Sequence, residues 1–61
     1  MEELLREVKV NEKVKYEVYD AGNGKRIIVD YYNDEVMGES MPLMEHEIYY
    51  HLKNNGLYIE D

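Results

Sequence analysis

The clearest pattern in the chain runs from Lys13 to Asn33, where Val14, Tyr16 and Val18 alternate with Lys13, Lys15, Glu17 and Tyr19. After Gly22-Asn23-Gly24 a second run carries Ile27, Val29 and Tyr31. Alternation with a period of two on both sides of an Asn-Gly pair predicts a β-hairpin. Two registers compete for it. A loop from Ala21 to Gly24 sets Val18 opposite Ile27, Tyr16 opposite Val29 and Val14 opposite Tyr31, which gathers one apolar face. The other face then sets Lys15 against Asp30, Lys13 against Tyr32 and Tyr19 against Arg26. A tight Asn23-Gly24 turn instead places Glu17 across from Asp30, and directly opposed like charges are unfavourable. The longer loop is therefore the expectation. Its second face still holds Tyr19, Ile28 and Tyr32, more apolar surface than a face open to water needs, so a covering partner is expected there.

Upstream, Leu4, Val8 and Val10 share the parity of Val14, Tyr16 and Val18. A short loop at Asn11 to Lys13 pairs Val10 with Val14 and Val8 with Tyr16, which extends the hairpin to a three-stranded meander. A helix competes for residues 2 to 10, because Leu4, Leu5 and Val8 also fit a helical stripe and Glu2 and Glu3 suit a helix start.

Residues 33 to 40, with Gly38 among polar neighbours, read as a connection. A helix is predicted from Pro42 to Asn54, capped by Ser40 or Met41 and stopped by Gly56. Its core stripe is Met44, Ile48 and Leu52, flanked by Met41, Leu43 and Tyr49. Leu57, Tyr58 and Ile59 predict a short C-terminal strand, returned by a right-handed crossover beside the Ile27 to Tyr32 strand. The expected fold is a single small α+β domain over residues 1 to 61. It comprises a small antiparallel β-meander of three strands, one α-helix packed on one sheet face, and the terminal strand.

Charge changes the picture from one half to the other. Residues 1 to 29 hold six acids and six bases, whereas from Asp30 onward eight acids face Lys53 alone, and the whole chain carries a net charge of −7. Such a field steers encounters and repels nucleic acid and anionic membrane surfaces. Lys9, Lys13, Lys15, Lys25 and Arg26 with Tyr16, Tyr19 and Tyr32 resemble a nucleic-acid-binding face in composition only, and the interspersed acids oppose that use. With 61 residues, stability is marginal without disulfides, a metal or a second subunit. Cysteine is absent, which leaves no disulfide and fits a reducing compartment. No apolar run approaches the ~20 residues of a membrane span, and Glu2 and Glu3 are wrong for a secretory signal. The expectation is a complete small cytoplasmic protein.

The aromatic inventory points the same way, since all seven aromatics are tyrosine: Tyr16, Tyr19, Tyr31, Tyr32, Tyr49, Tyr50 and Tyr58. A large ring with a polar tip suits half-buried positions and contact surfaces that must also survive in water.

Catalytic chemistry finds little footing. His46 and His51 are five apart, about 140° out of alignment on a helix, so they cannot easily share an ion. Glu47 and His51 have the i+4 spacing of a metal pair or, more simply, of a surface ion pair. The chain has one serine, Ser40, and no threonine or cysteine, so a nucleophile is wanting. Asp30, Asp34, Glu35 and Glu39 match no calcium-loop spacing. Gly22-Asn23-Gly24 joins two strands, whereas a phosphate loop opens a helix. No metal, cofactor or catalytic residue is assigned.

The sequence is thus read as a non-enzymatic acidic protein-binding module, a homodimeric stoichiometric inhibitor or regulator of a larger protein with a basic surface. Small acidic inhibitors carried by viruses, phages included, against nucleic-acid-processing or host-defence proteins belong to this class. Partner binding is placed on Asp30, Asp34, Glu35, Glu39, Glu45 and Glu47, bordered by Tyr49 and Tyr50. Self-association is placed on Tyr19, Ile28, Tyr32 and Tyr58. The alternatives are a structural subunit that assembles with itself and, more remotely, a metal-dependent enzyme using Glu47 and His51.

Overall fold

Residues Glu3 to Tyr58 are described in the computed structural model. Four strands follow one another: β1 (Glu3–Lys9), β2 (Val14–Gly22), β3 (Lys25–Tyr32) and β4 (Glu35–Glu39). They form one antiparallel sheet in the order β1-β2-β3-β4, and a single helix, α1 (Glu45–Asn54), follows. The fold is α+β. Residues 3 to 9 form a strand rather than a helix, and Val8 pairs with Tyr16 as the shared parity requires.

The hairpin register differs from the expectation by one residue. Asn23 and Gly24 both take positive φ, the tight two-residue turn, and Gly22 pairs with Lys25. A bulge between Asp20 and Gly22 then absorbs one residue, so Asp20 pairs with Arg26, Val18 with Ile28, Tyr16 with Asp30 and Val14 with Tyr32. The bulge removes the clash that argued against the tight turn. Glu17 now lies opposite Val29 instead of Asp30. Because side chains alternate faces, a shift of one residue turns every side chain of β3 over.

The segment read as a connection is in fact the fourth strand. Asn33 and Asp34, both at positive φ, make a second tight turn, and β4 pairs back on β3 through Val36 opposite Tyr31 and Gly38 opposite Asp30. A Cβ at position 38 would stand 3.3 Å from the Asp30 Oδ1, so glycine leaves room for that carboxylate. The chain then continues along β3. The Ser40 hydroxyl accepts a hydrogen bond from the Ile28 amide at 2.8 Å, and Leu43 exchanges two backbone hydrogen bonds with Arg26.

Ser40 and Leu43 are thereby held to β3, and α1 begins only at Glu45, with Met44 as its cap. The Met44 side chain offers no oxygen, but the Glu47 carboxylate accepts from the Met44 amide at 2.9 Å, the acidic half of a capping box. At the other end Gly56 takes φ +68, Leu57 donates to the Leu52 carbonyl and Gly56 donates to that of Lys53. This is a Schellman ending, and its hydrophobic pair, Leu52 and Leu57, is buried. Leu57 and Tyr58 lie in no strand, and Ile59 falls outside the described residues.

The helix covers the sheet face of Tyr16, Val18 and Ile28, which form the core with Leu52 and Leu57. Val8, Val10, Val14, Leu43 and Ile48 pack around them. No element among the described residues covers the opposite face.

Candidate protein-binding surfaces

The uncovered face of the sheet carries the most organised side chains in the molecule. Lys15, Glu17 and Tyr19 point to it from β2, and the observed register brings Tyr31 of β3 beside them. The Glu17 Oε1 accepts from the Tyr19 hydroxyl at 2.6 Å and from the Tyr31 hydroxyl at 2.9 Å. Lys15 stands 3.7 Å from Glu17, 3.4 Å from Glu7 and 4.8 Å from the centre of the Tyr31 ring. These neighbours leave Glu17 only 8% exposed, although the cover is one side chain deep.

The cluster shifts the acidity of its own members. The Tyr19 hydrogen bond is the main influence holding the Glu17 carboxyl below its ordinary value; burial opposes it, while Tyr31 and Lys15 reinforce it. In return the Glu17 carboxylate, first through that hydrogen bond and then with burial and its charge, pushes the Tyr19 hydroxyl up to about 12. Tyr31 is raised for the same leading reason. For Lys15, burial works against the charge, but the hydrogen bond and charge of Glu7 and the charges of Glu17 and Asp34 outweigh it and raise its pKa.

A second surface lies on the outer side of α1. The Tyr49 ring meets Tyr50 at 5.3 Å and Tyr58 at 5.1 Å, both edge to face. Lys53 donates to the Tyr49 hydroxyl at 3.2 Å. Tyr50 is 63% exposed, and Met41, in the approach to the helix, is 79% exposed. Glu45 precedes Tyr49 by four residues and Glu47 precedes Tyr50 by three, so each carboxylate stands one helical turn from a ring.

The acids assigned to partner binding fall into separate groups. Asp34 and Glu35 sit at the β3–β4 turn, whereas Glu45 and Glu47 follow Leu43, which is bonded to Arg26 at the opposite end of β3. Arg26 to Tyr32 is six strand steps, about 20 Å. Asp30 is half-buried on the helix side, and Glu39 projects to the uncovered face opposite Val29. Only Glu45 and Glu47 adjoin Tyr49 and Tyr50.

The assigned self-association residues are likewise dispersed. Ile28 is fully buried in the core, a correction that follows from the shifted register. Tyr32 lies on the helix side of the sheet, Tyr19 alone is on the uncovered face, and Tyr58 belongs to the α1 ring cluster. The residues missed by sequence reasoning are Glu7, Lys15, Glu17 and Tyr31. Lys15, Glu17 and Tyr19 at consecutive same-face positions were a visible signal, but Tyr31 needed the correct register.

A groove of about 280 Å³ lies at the β1–β2 turn, lined by Lys9, Lys13 and Lys15 and by Glu7, Glu12 and Asp34. Its charges are balanced, which favours neither anion nor cation. Among the described residues no three histidine or acidic side chains are grouped to hold a metal ion, and no helix is long and apolar enough to cross a membrane. The chain matches no known family, no curated protein and no solved structure.

Proposed function

We propose that the chain is a non-enzymatic acidic protein-binding module that works as a homodimer and inhibits or regulates a larger protein by occupying a basic surface on it. The observation that carries this reading is the exposed Tyr49, Tyr50 and Tyr58 cluster beside Glu45 and Glu47. Tyrosine rings give large contact area for little lost side-chain entropy, and exposed ones at a contact centre are frequent hot spots. The carboxylates add steering toward a cationic partner, reinforced by the net charge of −7. The partner is a protein rather than a nucleic acid, whose phosphates the same charge repels.

The test begins with affinity capture from the native host and proceeds to association kinetics with the purified partner. Glu45→Lys should slow association and flatten its salt dependence, while Tyr50→Ala should speed dissociation. Rates that ignore both changes reject the reading. A second reading, a structural subunit assembling with its own copies, is favoured by the presence of apolar surfaces on opposite sides of the molecule, the uncovered sheet face and the outer side of α1. Surfaces so placed allow open-ended growth, which light scattering would record as mass rising continuously with concentration.

A further inference from the structure

We infer that the uncovered face of the sheet is the surface through which two copies of this chain pair. This rests on the homodimeric part of the proposed function and not on the identity of the basic partner.

The face has an apolar and aromatic surface made by Leu4, Tyr19, Ile27, Val29, Tyr31 and Val36. Its charge selects the occupant. Among the described residues, alternation along the strands places Lys9, Lys15 and Lys25 there with Glu7, Glu17 and Glu39, so the face is neutral within a chain of net charge −7. A basic partner is drawn to the acids elsewhere. A second copy, itself strongly acidic, meets no net repulsion at contact only on a balanced surface such as this one. Because both signs are present on the same face, a two-fold apposition sets lysines of one copy against glutamates of the other.

The face is also prepared for loss of water. Both tyrosine hydroxyls already donate to Glu17, and Lys15 is already paired with Glu7 and Glu17, so covering the rings strands neither hydroxyl nor the Lys15 charge. Its size falls at the small end of specific interfaces. Four strands at ~4.8 Å spacing and about seven residues at ~3.3 Å each give roughly 440 Å² per copy in projection. Side-chain relief adds accessible area, which brings the pair toward the ~1,200 Å² lower bound of specific interfaces. Burying this face supplies the second layer that so small a core lacks.

The experiment is sedimentation equilibrium of the full chain from about 1 to 100 µM, because the dimer is set by mass action. Wild type should be dimeric in that range. Val29→Lys and Ile27→Lys, each placing an unpaired ammonium in the contact, should raise the dissociation constant by about 100-fold or more while the circular dichroism stays native. Tyr50→Ala should leave the dimer intact. Isotope-filtered nuclear Overhauser spectra of a mixed labelled and unlabelled wild-type sample should connect the Ile27, Val29 and Val36 methyls of one copy to its mate, a readout independent of whether the variants fold. A dimer that survives both lysine substitutions, or whose intermolecular contacts lie at Tyr49 and Tyr50, overturns the assignment of this face. A monomeric wild type throughout overturns dimerisation itself, and neither result touches the binding of a basic partner.

Discussion

Glu17 organises the uncovered face because its Oε1 accepts from two hydroxyls at once. Replacing it with Gln keeps the shape but removes the charge that both tyrosines are tuned to. In Glu17→Gln the Tyr19 hydroxyl should fall back from about 12 toward its ordinary 10.0, visible in an ultraviolet tyrosinate titration. Loss of two charge-assisted hydrogen bonds should destabilise the fold by about 1–3 kcal/mol in urea melts. The signs of the pH dependence follow from the same shifts. Glu17 is lowered in the folded state, so its contribution is present above the ordinary carboxyl range and is lost as pH falls through the folded value. Tyr19 is raised, so its contribution is full below pH 10.0 and is lost as pH rises through about 12. Thermal melts across that alkaline interval should therefore fall in wild type, and less steeply in Glu17→Gln. On the opposite face Ile28 is fully buried, and Ile28→Ala should cost about 2–5 kcal/mol. A domain of this length holds only about 3–9 kcal/mol in total, so the variant should be largely unfolded at physiological temperature in a circular dichroism melt.

At the scale of elements, signals confined to a few neighbouring residues were legible. The alternation of β2, the place of a turn near Gly22-Asn23-Gly24, though not its tight form, and the Gly56 helix stop could all be read from the chain. Gly56 holds φ +68, where any side chain is strained, so Gly56→Ala should lower stability by about 1 kcal/mol, checked by chemical denaturation. What escaped was decided by pairing. β4 is short, contains Gly38 and is exposed along most of its length, so nothing in Glu35 to Glu39 announces a strand until β3 supplies the hydrogen bonds. The start of α1 was displaced for a similar reason. Pro42 suits a first helical turn, but Ser40 and Leu43 bond to Ile28 and Arg26 and hold the chain extended until Met44. The binding surfaces divide along the same line: Tyr49, Tyr50, Glu45 and Glu47 are linked by helical spacing, whereas the Glu17 cluster spans β2 and β3.

Across the whole molecule, the net charge of −7 outweighs the ion pairs. Among the described residues the three pairs, Lys15 with Glu7, Lys15 with Glu17 and Arg26 with Asp20, are 3.4 to 3.7 Å long and lie at or near the surface. Surface pairs of this kind are worth little, while the self-repulsion of unbalanced acids acts on the entire fold. Added salt screens both, and the repulsion is the larger. Melting temperature should therefore rise as ionic strength increases from about 0.01 to 0.15 M, measured with a neutral buffer. A falling melting temperature would mean that the pairs dominate.

The sequence by itself determined which segments alternate, where two of the turns and the helix end lie, and that the excess acids belong to the second half. Those properties depend on residues within a few positions of one another. Only the tertiary structure decided which side of β3 faces the helix, because one bulged residue at Ala21 exchanges the two faces. That choice buries Ile28 and turns Tyr31 toward Glu17, while the pairing of β4 back along β3 separates the acids toward opposite ends of the sheet. Its physical basis is non-local. The bulge relieves the opposition of Glu17 and Asp30 and lets Val18 and Ile28 share the core with Leu52 and Leu57, contacts that exist only once the helix is in place.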